Sequence, residues 1–187
     1  LSFDGTEFIN TNNAPDLSSG DWSLSLWAKL DPSIVCEDGP ADDVEGMNLL
    51  TKEWNHRIYL KESCKLGFIT ARDANDPTNA QFGLDETEIF EVGTSEDRQW
   101  HNIVYQYDES TDTVEAYFDG AITGTNKSQT SVRANGLPFT IGGSEVLNNY
   151  FHGLIDEVTI ATNSRPASWY RLQNDMIANG AVSVGAE

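Results

Sequence analysis

Alternation with a period of two residues runs through most of this chain and constrains its fold more than any other feature. In Asp21–Leu30 (DWSLSLWAKL), Trp22, Leu24, Leu26 and Ala28 fall on one face, and Ser23, Ser25, Trp27 and Lys29 on the other. Successive side chains of a strand point to opposite faces, so the segment reads as a strand with one buried face. Residues 1–9, 46–52, 56–61, 64–71, 86–92, 98–107, 112–118, 121–126, 137–142 and 152–162 read as further strands. β-Branched and aromatic residues concentrate in them, while Gly, Asn, Asp and Pro lie between. Asp119-Gly120 supplies the positive φ angles of a tight hairpin turn between 112–118 and the segment that follows. Many short strands with turn signals between them indicate two packed sheets. Asp31–Gly46 and Arg72–Asp85 read as long polar loops, a length that goes with function or disorder.

One helix is expected near the end of the chain. Ser164 is its expected cap, Pro166 sits in its first turn, and Asn179-Gly180 ends it. Trp169, Leu172, Met176 and Ile177 follow helical spacing, which predicts an apolar side that covers one end or edge of the sandwich. The chain of 187 residues suits one domain over 1–179, and the small polar tail 180–187 reads as a linker stub. The chain is therefore expected to be one domain of a larger protein.

Five Trp, six Tyr and eight Phe residues bury enough area to offset a hydrophobic content of only 39%. The formal net charge is −19, from 30 acidic and 11 basic residues. Such a surface repels phosphate backbones and anionic bilayers, which argues against nucleic acid as a partner. No apolar run of about 18 residues exists, so no membrane-inserted helix is expected. The acid excess has two readings: solubility, or convergence of some carboxylates on Ca²⁺, a hard cation that prefers oxygen ligands. Cys36 and Cys64 are the two cysteines; they permit one disulfide or two free thiols.

Four segments, in order, resemble a laminin-G-like domain of the concanavalin A-like superfamily, as found in bacterial secreted and surface proteins. They are Leu1–Ile9 (LSFDGTEFI), Trp22–Lys29 (WSLSLWAK), Trp100–Asp108 (WHNIVYQYD) with Val114–Gly120 (VEAYFDG), and Phe139–Gly142 (FTIG) with Tyr150–Ile160 (YFHGLIDEVTI). The resemblance spans about residues 1–179. It implies an all-β fold, a two-sheet antiparallel jelly-roll sandwich with one short C-terminal helix. It also implies binding of carbohydrate or of an extracellular protein, often with bound Ca²⁺, outside the cell or at its surface. The fold hosts lectins, adhesion modules and enzymes, so it fixes no ligand.

Alternation in Leu154–Ile160 places Asp156 on one face with Leu154, Val158 and Ile160. A carboxylate among aliphatics must be paired, hydrogen-bonded or metal-bound, and no Lys or Arg lies nearby in sequence. In related jelly rolls the first and last strands lie together near a structural Ca²⁺. Asp156, Asp4 and the Gly5 carbonyl are therefore the expected Ca²⁺ ligands; the alternative is that Asp156 accepts backbone N–H bonds at a strand bend.

For a ligand, Trp54, Arg57 and Tyr59 offer an aromatic platform beside polar groups, and Arg72, Asp73 and Asp76 of the second loop could complete the rim. Catalytic residues are not expected: no HExxH, GxSxG or Cys-His signature is present. Glu86 and Glu88 have the spacing of a glycosidase pair but read as exposed acids of an amphipathic strand. Asp156 and Glu157, being adjacent, should point to opposite faces and so cannot form such a pair. The expected function is a non-catalytic binding or adhesion module. A polysaccharide-active enzyme of the same fold and a structural spacer in an adhesin are the alternatives.

Overall fold

The computed structural model describes residues 1–12, 15–34, 46–52, 55–61, 64–71, 81–88, 99–127, 136–144 and 146–178. The first sheet has six strands in the order β1 (Ser2–Asp4), β14 (His152–Ala161), β3 (Trp22–Leu30), β8 (His101–Asp108), β9 (Thr113–Phe118), β10 (Ala121–Lys127). The second has eight. Its main path runs β12 (Gly143–Ser144), β13 (Asn149–Tyr150), β4 (Met47–Lys52), β5 (His56–Leu60), β6 (Lys65–Ala71), β7 (Gln81–Glu88). Off this path, β11 (Phe139–Ile141) pairs with both β4 and β2 (Ile9–Asn10). Every pairing is antiparallel except that of β13 with β4. The expected jelly-roll sandwich is observed, and the first strand lies against the last, with Ser2, Phe3 and Asp4 opposite Leu154, Gly153 and His152.

The alternation of β3 becomes the core. Trp22, Leu24, Leu26, Ala28 and Leu30 are fully buried and meet Leu50, Ile58, Leu60, Leu66 and Phe68 of the second sheet. Trp22 packs edge-on against His56 and Tyr105, with ring centroids 4.6 and 5.1 Å apart. Asp119 and Gly120 adopt φ angles of 49° and 75°, and the hairpin they form pairs Ala121 with Phe118 as the sequence predicts.

Several boundaries differ. The opening segment 1–9 splits into β1 and β2, each held by a different sheet. The fourth long strand starts at Gln81 inside the expected loop, and β12 and β13 were not anticipated. The helix, α1 (Ala167–Ala178), starts just after Pro166. The Ser164 hydroxyl donates to Asp21 Oδ2 at 2.9 Å instead of capping the helix. Trp169, Leu172, Met176 and Ile177, expected to be buried, are exposed; the buried helical side chain is Tyr170.

That inversion follows from where the helix docks. It lies on the outer face of the six-stranded sheet, where Tyr170 packs with Val104 and Tyr117. Gln106 locks it there. Its Oε1 accepts from Arg165 N at 2.9 Å and from Tyr170 Oη at 2.7 Å, and its Nε2 donates to the Arg165 carbonyl at 3.0 Å. One aromatic residue with a polar tip serves this amphipathic surface better than a run of aliphatics. Burial pushes the Tyr170 phenol up to about 12.

Candidate binding pocket on the six-stranded sheet

The strand that carries Asp156 breaks its alternation. Register with β3 shifts between Asp156 and Thr159, and Glu157 adopts φ 49°, which makes the pair a β-bulge. The extra residue turns Ile155 inward and Asp156 outward, then restores Val158 and Ile160 to the core side. The expected burial of Asp156 among aliphatics is therefore corrected: Asp156 is exposed, and its Oδ1 accepts the Glu157 N–H at 2.9 Å. The backbone-bonded alternative weighed for this residue is the one observed.

The same bulge corrects a second expectation. Asp156 and Glu157, adjacent in sequence, both line one cavity of about 590 Å³ together with Trp27, Gln99, Trp100 and Ile177. Trp27 comes from β3, directly opposite Asp156 in register, and Asn102 of β8 stands directly opposite Trp27. Asp156, Trp27 and Asn102 thus form a row across the outer face. Ile177, at the end of α1, supplies the far wall. Trp100 is 38% exposed, while Trp27 is 4% and Asn102 1% exposed. Trp27 Nε1 and both amide atoms of Asn102 have no hydrogen-bond partner among the described residues. Leaving a buried polar group unmet costs about 1–3 kcal/mol. These atoms lie beneath the surface of the sheet, out of contact with solvent.

Asp4 and Asp156 share the outer side of the sheet but stand opposite positions four residues apart along β14, about 13 Å at strand rise. Asp4 Oδ1 is engaged by Thr6 N and Thr6 Oγ1 at 3.0 and 2.6 Å, bonds that hold its carboxyl below the usual range. Asp4, Gly5 and Asp156 do not fit one Ca²⁺ site. Among the described residues, no three His, Cys, Asp or Glu side chains gather as metal ligands.

Of the expected ligand-binding set, Arg57 and Tyr59 come together on the outer side of the eight-stranded sheet. The Arg57 guanidinium lies 4.6 Å above the Tyr59 ring, and Arg57 Nε donates to Asn48 Oδ1 at 3.0 Å. Tyr59 itself is buried, lying so close over Gly67 that a Cβ there would sit 2.3 Å from its ring. Trp54, Arg72, Asp73 and Asp76 lie outside the described residues, as do Cys36 and the side chains of Glu86 and Glu88. Cys64, at φ 57°, is buried. His101 is structural as expected, its Nδ1 bonded to Asp119 Oδ2 at 2.8 Å.

Sequence reasoning missed Trp27, Gln99, Trp100 and Ile177 as pocket residues. The signal available was Trp27 itself, an indole on a strand face otherwise made of Ser23, Ser25 and Lys29.

Comparison with known proteins places this geometry in context. No curated protein matches the chain by sequence. Among solved structures, the CBM40 of the Ruminococcus gnavus IT-sialidase superposes with TM-score 0.69 at 12% identity, over 93% of this chain and 95% of that one. It has also been solved bound to α2,3-sialyllactose. The botulinum neurotoxin serotype D binding domain superposes with TM-score 0.64 at 12% identity, over 91% of this chain and 40% of that one. The binding domain of Paraclostridial Mosquitocidal Protein 1 gives 0.64 at 14%, over 88% and 39%. At these identities the likeness is one of fold. A laminin-G-type family model, described as the concanavalin A-like lectin/glucanases superfamily, matches residues 3–169, and the chain belongs to that superfamily.

Proposed function

We propose that the chain is a non-catalytic carbohydrate-binding module acting outside the cell, with the pocket on the six-stranded sheet as its binding site. The observation that carries this reading is the cavity itself. An exposed Trp100 offers apolar surface for a sugar ring over a floor that Trp27 lines, and Asp156, Glu157 and Gln99 stand beside them to meet hydroxyls. Sugar sites combine such aromatic faces with a few convergent polar groups. Structural neighbours solved with sialyllactose and with N-acetylneuraminic acid support a glycan over a protein ligand. The test is a glycan array with the wild type and Trp100→Ala, followed by calorimetry on any hit. The wild type should retain a glycan, and Trp100→Ala should weaken it about tenfold. An empty array defeats the proposal.

The convergence of Asp156 and Glu157 favours one second reading, glycoside hydrolysis by a carboxylate pair. Both carboxylates are open to solvent, whereas a glycosidic acid is usually shielded in an apolar pocket. Release of new reducing ends from the retained glycan would establish the enzyme instead of the module.

Structural Ca²⁺ enters the proposal as a property of the whole chain and not of the Asp4–Gly5–Asp156 set. Ca²⁺ should raise the melting temperature over that in chelator by mass action. Asp156→Ala should keep that response, and an unchanged melting temperature removes the ion.

A further inference from the structure

Trp169, Leu172 and Met176 are spaced three and four residues apart, which sets them in one stripe along α1. Tyr170 is the helical side chain packed on the sheet, and the stripe is left at the surface. Trp169 is 50%, Leu172 54%, Met176 39% and the neighbouring Ile177 49% exposed. Together they present about 400 Å² of apolar surface, the size at which a patch on a monomer often marks an interaction site. Arg165 flanks the stripe at its start, with its guanidinium 5.1 Å from the centre of the Trp169 ring.

Three properties fit this stripe to a second copy of itself. The first is area. Two copies would bury about 800 Å² of apolar surface, and at the roughly 65% apolar share of homodimer interfaces that implies about 1,200 Å² in all, the lower bound of stable interfaces. The second is charge. The chain carries a net −19, so two copies repel over most of their surface. Residues 164–178 hold Arg165, Arg171 and Asp175, two basic against one acidic, for a local net of +1. Helix against helix is therefore an approach that does not set acid against acid. The third is self-complementarity, which an interface between identical surfaces requires. In antiparallel helices, a twofold axis between Leu172 and Gln173 sets Trp169 of each copy against Met176 of the other and the two Leu172 side chains side by side. A thioether against an indole is a favourable sulfur–aromatic contact. Arg171 then falls within one residue of the other copy's Asp175, and both are exposed.

We propose that the chain forms a symmetric dimer by antiparallel packing of α1 on α1, with Trp169, Leu172 and Met176 as the seam and Arg171–Asp175 pairs at its rim. An interface of this area corresponds to a reversible dimer with a Kd on the order of 10 μM. Ile177 ends the stripe and also lines the cavity, so the second copy stands at the rim of the pocket.

Sedimentation equilibrium of the full chain, without glycan, at about 0.15 M salt tests it. The mass should rise from 20.6 kDa toward twice that value as the concentration passes from about 1 to about 300 μM. Leu172→Glu sets two like charges together at the twofold axis and should stay monomeric throughout; position 172 is exposed, so the fold is not at risk. Arg171→Asp and Asp175→Arg should each weaken the dimer about tenfold, and the two together should restore it. A wild type that is monomeric at every concentration overturns the proposal, as does a Leu172→Glu variant that still dimerises. Single exchanges without effect, or a double exchange that restores nothing, overturn the antiparallel register. A monomeric wild type that sediments with phosphatidylcholine vesicles, where Leu172→Glu does not, gives the stripe to a lipid surface and overturns the second copy. Sugar binding is not read here, so this outcome and that of the glycan array stand apart.

Discussion

Lowering the pH from 7.5 to 5 should destabilise this protein through one residue. His56 is fully buried between Trp22 and Phe139, with ring centroids 4.6 and 6.1 Å away, and its Nδ1 lies 3.3 Å from Thr70 Oγ1. Burial, reinforced by the nearby Lys52 charge, pushes its imidazolium down to about 3 from an ordinary 6.5. The folded state therefore keeps His56 neutral over a range in which the unfolded chain protonates it. The sign follows: this contribution is fully present above 6.5 and is lost as the pH falls from there toward 3. Between pH 7.5 and 5 the linkage integral is about 2 kcal/mol. Against a typical total of about 5–15 kcal/mol, that is readily measured. Urea unfolding with linear extrapolation at the two pH values gives the loss directly, and the melting temperature should fall by about 4–8 °C. His56→Phe keeps the ring contacts and removes the titration, so the loss should vanish in the variant; His56→Gln serves if that variant does not fold. Because His101 and His152 are common to both proteins, the difference isolates His56. An equal loss in wild type and variant, or none in the wild type, refutes the reasoning.

Two further perturbations follow from the fold. Gly142 holds φ 80°, and a Cβ there would sit 2.2 Å from the buried Phe3 ring, so Gly142→Ala should cost about 2 kcal/mol or more by urea unfolding. Gly20 has a similar φ of 72° with no atom nearby, so Gly20→Ala should cost only about 1 kcal/mol; equal costs would contradict the packing argument. Cys36 and Cys64 are proposed to pair, closing a loop whose entropy stabilises by about 3.5 kcal/mol. Intact mass before and after reduction should differ by two hydrogens, and labelling of two thiols without reductant would rule the pair out.

Much of the architecture was legible because burial on one side of a strand writes itself as alternation. Spacing alone puts Trp22, Leu24, Leu26 and Ala28 on one face, and all four are fully buried. The Asp119-Gly120 turn was equally clear, since positive φ at two successive residues restricts composition. What failed was phase. A single inserted residue at Glu157 reverses the faces on either side of it, and no local pattern in LIDEVTI marks the insertion. The helix misled for another reason: its apolar spacing was real, but its docking depends on Gln106, some sixty residues upstream. The pocket gathers positions 27, 99–100, 156–157 and 177, which only the sheet register and the helix placement bring together. Of the ligand set expected around Trp54 and Arg72, Arg57 and Tyr59 are the members among the described residues, and they do lie together.

Gln106 and Tyr170 fasten the helix near its start, whereas Ile177 stands two turns further on. That spacing is a lever of about 10 Å at helical rise. Rocking by about 10° around the anchored end moves the tip by about 2 Å, the difference between admitting a flat ring and a substituted one. The cavity therefore has walls on the paired strands β3 and β14 and another on a helix anchored at its opposite end, so its breadth is a property of the anchor as much as of the residues that line it.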